Sequence, residues 1–305
     1  MSAAKKLVVC GGNGFLGSRI CKSAVARGWD VTSISRSGAP KWETVTSAST
    51  PPPWAHRVTW ERADILRPAT YAPLLQGADF VVHSMGILLE ADYKGVLQGR
   101  ESPISGLRKA FAAASSSSSS ASSSANPLER NANGDKDEDI RPPGSRDQLT
   151  YESMNRDSAI VLARETAAAA SQGEGRKAAF AFVSAAGGAP VLPARYIATK
   201  REAEASIARA FPALRGIFVR SPFLYDSSRP ITAAMAALTG AGALFNSATG
   251  GVLGGFMGAA GVKPLRADVV AEALVEALDD ESVRGPVEVP QIEALAEKAW
   301  RKNML

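Results

Sequence analysis

Six short runs of β-branched and aromatic residues recur along the chain, each nearly apolar throughout and separated from the next by a turn and, in most cases, a helical pattern. They are KLVVC at 6–10, DVTSIS at 30–35, RVTWE at 57–61, DFVVHS at 79–84, AFAFVS at 179–184 and GIFVRS at 216–221. A sheet with one wet face would show strict alternation. Runs apolar on both faces, with helices between them, predict a parallel sheet covered on both sides. The expected fold is therefore α/β, a doubly wound parallel sheet of the Rossmann kind.

Helices follow from spacing. Residues 151–170, YESMNRDSAIVLARETAAAA, carry Met154, Ile160, Val161 and Leu162 among good helix formers, and 267–279 set Val270, Leu274 and Leu278 on one stripe behind Asp268. Both are expected to dock on the sheet. A last helix within PQIEALAEKAWRKN places Ile292, Leu295, Ala299 and Trp300 on one side, with a basic end, and is expected to pack against the same lobe. The expected organisation is a single domain over 1–305, with a small C-terminal substrate lobe over 222–305.

Two stretches break the pattern. From 112 to 147 the composition collapses into serine, small and charged residues with almost no large apolar side chain, which predicts a disordered insertion after the fourth strand. The 32 residues from 231 to 262 carry no charge and eight glycines, with Gly250, Gly254 and Gly258 at four-residue steps. Length would permit a membrane span, but the glycines, Asn246 and hydroxyl residues make a poor apolar rod. A mobile apolar flap facing lipid, or plain packing, is expected before a span.

Composition narrows the function classes. With 45% hydrophobic and 21% charged residues the chain reads as an ordinary globular one. Two cysteines and two histidines cannot build a disulfide framework or a structural zinc set. The net charge of +5 is mild, and Lys and Arg form no run interleaved with aromatics, so nucleic acid is not an expected partner. The first strand begins almost at once, leaving no expected room for a removable presequence. Residues 1–29 are basic and acid-free, which admits an uncleaved address or, as composition favours, a first helix facing water.

Candidate chemistry starts at the first strand, which runs into GGNGFLG and then a helical pattern. Gly11 permits a tight turn, Gly14 lets backbone approach a pyrophosphate, and Gly17 lets helix and strand pack closely, with the helix amides facing the anion. Strand, turn and helix at the start of a βαβ unit point to dinucleotide binding by Gly11, Asn13, Gly14, Phe15, Leu16 and Gly17. At the end of the second strand, where a carboxylate would take the ribose 2′-hydroxyl, stand Ser35, Arg36 and Ser37. A guanidinium there suits a 2′-phosphate, so NADP(H) is favoured over NAD(H). Asp64 and Ile65 are placed to meet adenine, and Ser84, Met85 and Gly86 to pass beneath the ribose and nicotinamide. His83 reads as a packed strand residue.

Downstream of the fifth strand, ARYIATKREAEASI sets Tyr196 and Lys200 four apart at the start of a helix, on one face. A phenol exchanges a proton with a carbonyl or alcohol once a nearby ammonium lowers its pKa, and the same Lys can hold ribose hydroxyls.

In order, the glycine triplet, Asn155 on the fourth crossover helix, Ser184 at the end of strand five, and Tyr196 with Lys200 resemble the short-chain dehydrogenase/reductases in their extended or atypical branch. The blocks GGNGFLGSRIC, SISRSG, VVHSMGILLE, TYESMNRDSAIVLA and FVSAAGGAPVLPARYIATKREAE are similar to a fungal mitochondrial branch, the Coq eleven group, associated with coenzyme Q biosynthesis. That group is in turn similar to the accessory NAD(P)H-binding subunit of respiratory complex I. The resemblance implies catalytic roles for Tyr196, Lys200 and Ser184, and a matrix-side location at the mitochondrial inner membrane. It implies as partners a lipid-tailed quinone intermediate or coenzyme Q synthesis proteins, with peripheral membrane contact. Active members usually carry Ser or Thr two residues beyond the position of Ser184; here Ala185 and Ala186 stand instead. Two expectations follow: an oxidoreductase acting on a quinone-ring intermediate, or a catalytically silent, cofactor-bound scaffold subunit.

Overall fold

The computed structural model describes residues 3–46, 48–86, 127–128, 150–172, 178–187, 194–226 and 263–304. Seven strands form one sheet: β1 (Lys6–Cys10), β2 (Asp30–Ser35), β3 (Val58–Arg62), β4 (Phe80–His83), β5 (Ala179–Ala185), β6 (Arg215–Ser221) and a short last strand (Gly285–Val287). All pairings are parallel, in the order β3-β2-β1-β4-β5-β6 with the last strand beyond β6. The doubly wound sheet expected from the apolar runs is the fold, and the six runs lie within a residue or two of the observed strands. The seventh, GPV, is too short for a periodic signal. A separate pair of two-residue strands, Leu224–Tyr225 and Leu265–Arg266, was equally invisible to periodicity.

Alternation within the strands divides the core between the two faces. Leu7 and Val9 of β1 join one buried cluster while Val8 and Cys10 join the other. The first face is covered by α1 (Gly17–Ala26) and α4 (Ala267–Asp279), the second by α2 (Ser158–Ser171) and α3 (Ala194–Ala210). Val270, Leu274 and Leu278 are fully buried on α4, as their stripe predicts. The helix expected over 151–170 opens differently: Glu152–Asp157 are wound as a π-helix before α2 begins. Such wide turns are rare and concentrate at functional sites.

The last helix, α5 (Val289–Met304), packs on α4 through Ile292, Ala296 and Ala299, but Trp300 is 57% exposed and so does not share the buried side expected for it. Ala296 takes that position, since the stripe turns with the 3.6-residue period. The Glu276 carboxylate, fully buried on α4, draws Arg27 from the end of α1 (2.8 Å) and Lys302 from α5 (2.7 Å), tying three helices together. Trp42, Trp54 and Trp60 stack beside the edge strand β3 with ring centroids 5.7–6.4 Å apart.

Within the insertion over 112–147 only Pro127 and Leu128 are described, and Leu128 packs against the second core cluster. The uncharged stretch 231–262 lies outside the described residues.

Candidate functional site

Strand order reverses at β1, which has β2 on one side and β4 on the other, and Cys10 is in register with His83. Open α/β sheets bind ligands outside the carboxyl ends of strands at such a switch point. Here the glycine turn and Ser84–Gly86 both leave the sheet at that point.

The turn is built by close approach. Gly11 has φ +87° and its amide donates to Ile34 O of β2 at 2.9 Å. A Cβ on Gly17 would stand 2.1 Å from Gly11 O, so α1 lies against the turn with no room for a side chain. Gly12, which the glycine spacing did not single out, is equally constrained: its Cβ would meet Ser33 Oγ at 2.3 Å and Cys21 Sγ at 2.9 Å. Gly14 differs, because a Cβ there would meet only Gly11 O, at 3.2 Å, and otherwise open space. The first turn of α1 carries no acidic residue. An open backbone surface at a helix N-terminus fits a pyrophosphate.

The β2 turn adjoins this cradle. Asn13 donates to Ser37 Oγ at 2.7 Å, whereas the buried Ser35 hydroxyl turns inward to Gly38 O at 2.8 Å. Ser35 is thus occupied in shaping the turn and does not flank Arg36 as a free hydroxyl. Arg36 is exposed. Asp64 accepts from the Leu66 amide at 3.1 Å, and Ile65 is buried.

From the switch point the site extends toward α3. A Cβ on Gly11 would touch Met85 Cγ (2.7 Å) and Ser84 Oγ (3.1 Å), and one on Gly86 would stand 2.9 Å from Asn155 Oδ1 and 3.3 Å from Lys200 Nζ. The glycine turn, the end of β4, the π-helix and α3 therefore meet around Ser84–Gly86. Lys200 is 3% exposed, donates to Val183 O at 2.8 Å and lies 5.6 Å from the Tyr196 ring centroid. Burial brings its ammonium down to about 7.

Tyr196 is stacked edge-on against Tyr151 at 6.0 Å, and Arg195 clamps Glu152 at 2.7 and 2.5 Å beside it. Burial and the Tyr151 ring neighbour push the Tyr196 phenol up to about 12. The expected lowering of that phenol by Lys200 is not what this geometry produces: the ammonium faces a backbone carbonyl and the tyrosine ring. His83 is fully buried, bonded to Ser158 Oγ at 2.9 Å and held down to about 3 by burial and the Lys200 charge, as befits a packed strand residue.

Ser184 is placed otherwise than a carbonyl-polarising serine requires. Its hydroxyl donates to Glu204 Oε1 at 2.5 Å and accepts from Arg201 at 3.0 Å, and Arg220 completes the set on Glu204 Oε2. This buried ion cluster was missed in the sequence reading. Its signal was legible: Arg220 interrupts an apolar strand run, and Glu204 follows Lys200 by one helical turn. Ala185 and Ala186 are both buried beyond it.

The family model of the NAD dependent epimerase/dehydratase family matches residues 7–93. MIOREX complex component 2 of Saccharomyces cerevisiae is 38% identical over 232 residues, 73% of this chain and 74% of the yeast protein. Among solved structures, an oxidoreductase of the short-chain dehydrogenase/reductase family from Burkholderia thailandensis has a TM-score of 0.54 at 13% identity, covering 93% of this chain and 90% of that one. The UDP-glucuronic acid 4-epimerase from Bacillus cereus, in complex with NAD, gives 0.50 at 16% identity, covering 93% and 78%. The structural likenesses bear on the fold: a seven-stranded parallel sheet of the NAD(P)-binding epimerase and reductase kind. With 38% identity over most of both chains, the chain belongs to the family it shares with the yeast protein, and its N-terminal part matches the NAD dependent epimerase/dehydratase family.

Proposed function

We propose that the chain binds NADP(H) and acts in or around ubiquinone (coenzyme Q) biosynthesis at the matrix side of the mitochondrial inner membrane, as an oxidoreductase on a quinone-ring intermediate. The observation that carries the cofactor part is the convergence around Gly86, where the end of β4 comes within reach of Asn155 and Lys200 while Gly11 touches Ser84 and Met85. The pyrophosphate would lie on Gly11–Gly17, with Asn13, Phe15 and Leu16 lining the turn, and the 2′-phosphate on Arg36 and Ser37. Asp64 and Ile65 would face adenine, and Ser84, Met85 and Gly86 the nicotinamide end. The bound nicotinamide supplies a hydride. Lys200 would hold ribose hydroxyls, and Tyr196, its phenol pushed up to about 12 by burial, would carry a proton at its phenolic oxygen. The mitochondrial and quinone parts rest on the resemblance of the sequence blocks. The family's yeast member is named as a component of a complex, which supports protein partners for this chain.

A second reading has its own observation. The Ser184 hydroxyl is spent on Glu204 and Arg201, and Ala185 and Ala186 offer no substitute, so the site lacks a donor that active members use. Loss of one such donor costs about 2.7–4 kcal/mol of transition-state stabilisation. A cofactor-bound scaffold subunit of the coenzyme Q assembly needs no such donor. Purified protein with NADPH and a quinone precursor separates the two. Turnover abolished by Tyr196→Phe supports the enzyme; no turnover, with quinone levels in cells rescued by Tyr196→Phe combined with Lys200→Ala, supports the scaffold. Binding of neither NADPH nor NADH would overturn both.

A further inference from the structure

The turn after β2 presents two arginines. Ser35, the last residue of β2, is in register with Arg62, the last residue of β3. Beyond Ser35 the chain folds back through Arg36 and Ser37 to Gly38, which has φ +73°, and the stem of Arg62 lies across that glycine. A Cβ on Gly38 would come 3.0 Å from Arg62 Cγ and 3.8 Å from Cδ. Arg36 and Arg62 therefore flank one four-residue turn, and both are exposed. Among the described residues neither side chain makes a hydrogen bond or ion pair, whereas Arg19, Arg27, Arg201 and Arg220 each hold a carboxylate. The turn is also fixed in place, by Asn13 on Ser37 and by Ser35 on Gly38 O. Ser37 keeps its own proton to donate.

We infer that Arg62 is a specificity-determining residue that closes a two-arginine clamp with Arg36 on the adenosine 2′-phosphate. The inference rests on the nucleotide reading above and goes beyond it, since that reading used Arg36 and Ser37 alone. A phosphate monoester carries close to two negative charges at neutral pH, and two guanidinium groups on one rigid turn match it in charge and in paired donors. A ribose 2′-hydroxyl brings no charge to offset two neighbouring cations, so the same arrangement discriminates against NAD(H).

The test is binding, measured by calorimetric titration of NADPH and NADH into the full chain and its Arg36→Ala, Arg62→Ala and Arg62→Gln variants at one fixed salt concentration. Arg62→Ala and Arg62→Gln are expected to weaken NADPH at least about tenfold, which is about 1.4 kcal/mol, and to leave NADH within about twofold. Arg62→Gln keeps the stem across Gly38 and so separates charge from packing; a melting temperature near that of the unaltered chain checks the fold of each variant. NADPH affinity unchanged in the Arg62 variants, or NADPH and NADH weakened alike, overturns the clamp while leaving the cofactor reading intact. An unaltered chain that binds neither nucleotide overturns the cofactor reading itself.

Discussion

Two glycines of the same turn make opposite demands, and alanine at each should separate fold from binding. At Gly17 the new methyl would stand 2.1 Å from Gly11 O and 2.8 Å from Gly12 Cα, where carbon and carbonyl oxygen normally stay about 3.3 Å apart. Relief requires α1 to retreat by roughly 1 Å from the turn, yet its Ile20, Cys21 and Ala24 are fully packed in the first core cluster. Overpacking against backbone costs about 1–3 kcal/mol or somewhat more, and the helix preference for alanine returns less than about 1 kcal/mol at a first helical position. A net loss of about 1–3 kcal/mol corresponds to a fall in Tm of about 2–12 °C for a domain of roughly this size. At Gly14 the methyl meets only Gly11 O at 3.2 Å and the backbone has no positive φ, so stability should stay within about 1 kcal/mol. It projects, however, where the proposed pyrophosphate approaches, and NADPH affinity should drop at least about tenfold. Thermal unfolding with and without NADPH reads both effects. A Gly17→Ala protein that melts with the unaltered chain, or a Gly14→Ala protein that binds NADPH at full strength, refutes this division of labour.

Three further outcomes follow from the buried charges. Lys200 titrates near 7 in the fold and near 10.5 when unfolded, so the unfolded chain binds more protons between those values and stability rises with pH across that window. Lys200→Met should therefore stabilise most below pH 7, by up to about 5 kcal/mol, with the gain shrinking toward pH 10; denaturant midpoints at pH 6 and 9 that shift equally contradict this. His83 is held near 3 against an ordinary 6.5, so stability falls as pH drops below 6.5, and His83→Gln should reduce by about 2–3 kcal/mol the loss measured between pH 7 and 4.5. Glu204→Ala removes the carboxylate that Arg201, Arg220 and Ser184 share, but both arginines are partly exposed and Arg220 keeps Glu288, so the cost should be about 1–3 kcal/mol, read as a lowered urea midpoint at unchanged slope.

What the sequence shows of this fold follows from which signals are local. Strands buried on both faces print continuous apolar runs, so β1, β2, β4 and β5 could be placed to within a residue or two, and α4 to the residue. The three-residue strand at Gly285 and the two-residue strands at Leu224 and Leu265 exist only because a neighbour is already there, and nothing in their own composition announces them. The glycine turn was legible because a strand–turn–helix unit constrains consecutive residues. Gly12 escaped because its constraint is a contact with Ser33 on the next strand, 21 positions away. Tyr196 and Lys200 were found by spacing, but their electrostatics were not. The expectation that the ammonium lowers the phenol assumed a hydrated pair, whereas both groups are drawn into the protein and each moves toward its neutral form. Ser184 was read as a candidate donor from its place in the chain order, and only the folded arrangement brings Glu204 and Arg201 onto its hydroxyl.

That last arrangement separates the two jobs that members of such a family combine. The proposed nucleotide side of the site is built largely on backbone, glycine turns, helix amides and the exposed end of β4 fixed by the packing of β1, β2 and α1, with the side chains of Arg36 and Arg62 at its rim. The chemical side would be made of side chains at the end of β5 and the start of α3, and there the polar groups are bound to one another. Ser184, Arg201, Glu204 and Arg220 join β5, α3 and β6, and Arg220 reaches on to Glu288 at 2.6 Å, just before α5. A carboxylate buried among two guanidinium groups and a hydroxyl is expensive to disturb, because without the guanidinium groups its charge would be left in a low-dielectric interior. The serine is consequently part of what holds α3 on the sheet, and turning to a substrate carbonyl would cost it the bond to Glu204, which keeps Arg201 and Arg220. Cofactor binding does not depend on that exchange, whereas turnover through a serine-polarised carbonyl does. A cofactor-bound chain with little or no turnover is thus compatible with this sheet, and in the proposed enzyme the electrostatic stabilisation would fall to Tyr196 and Lys200.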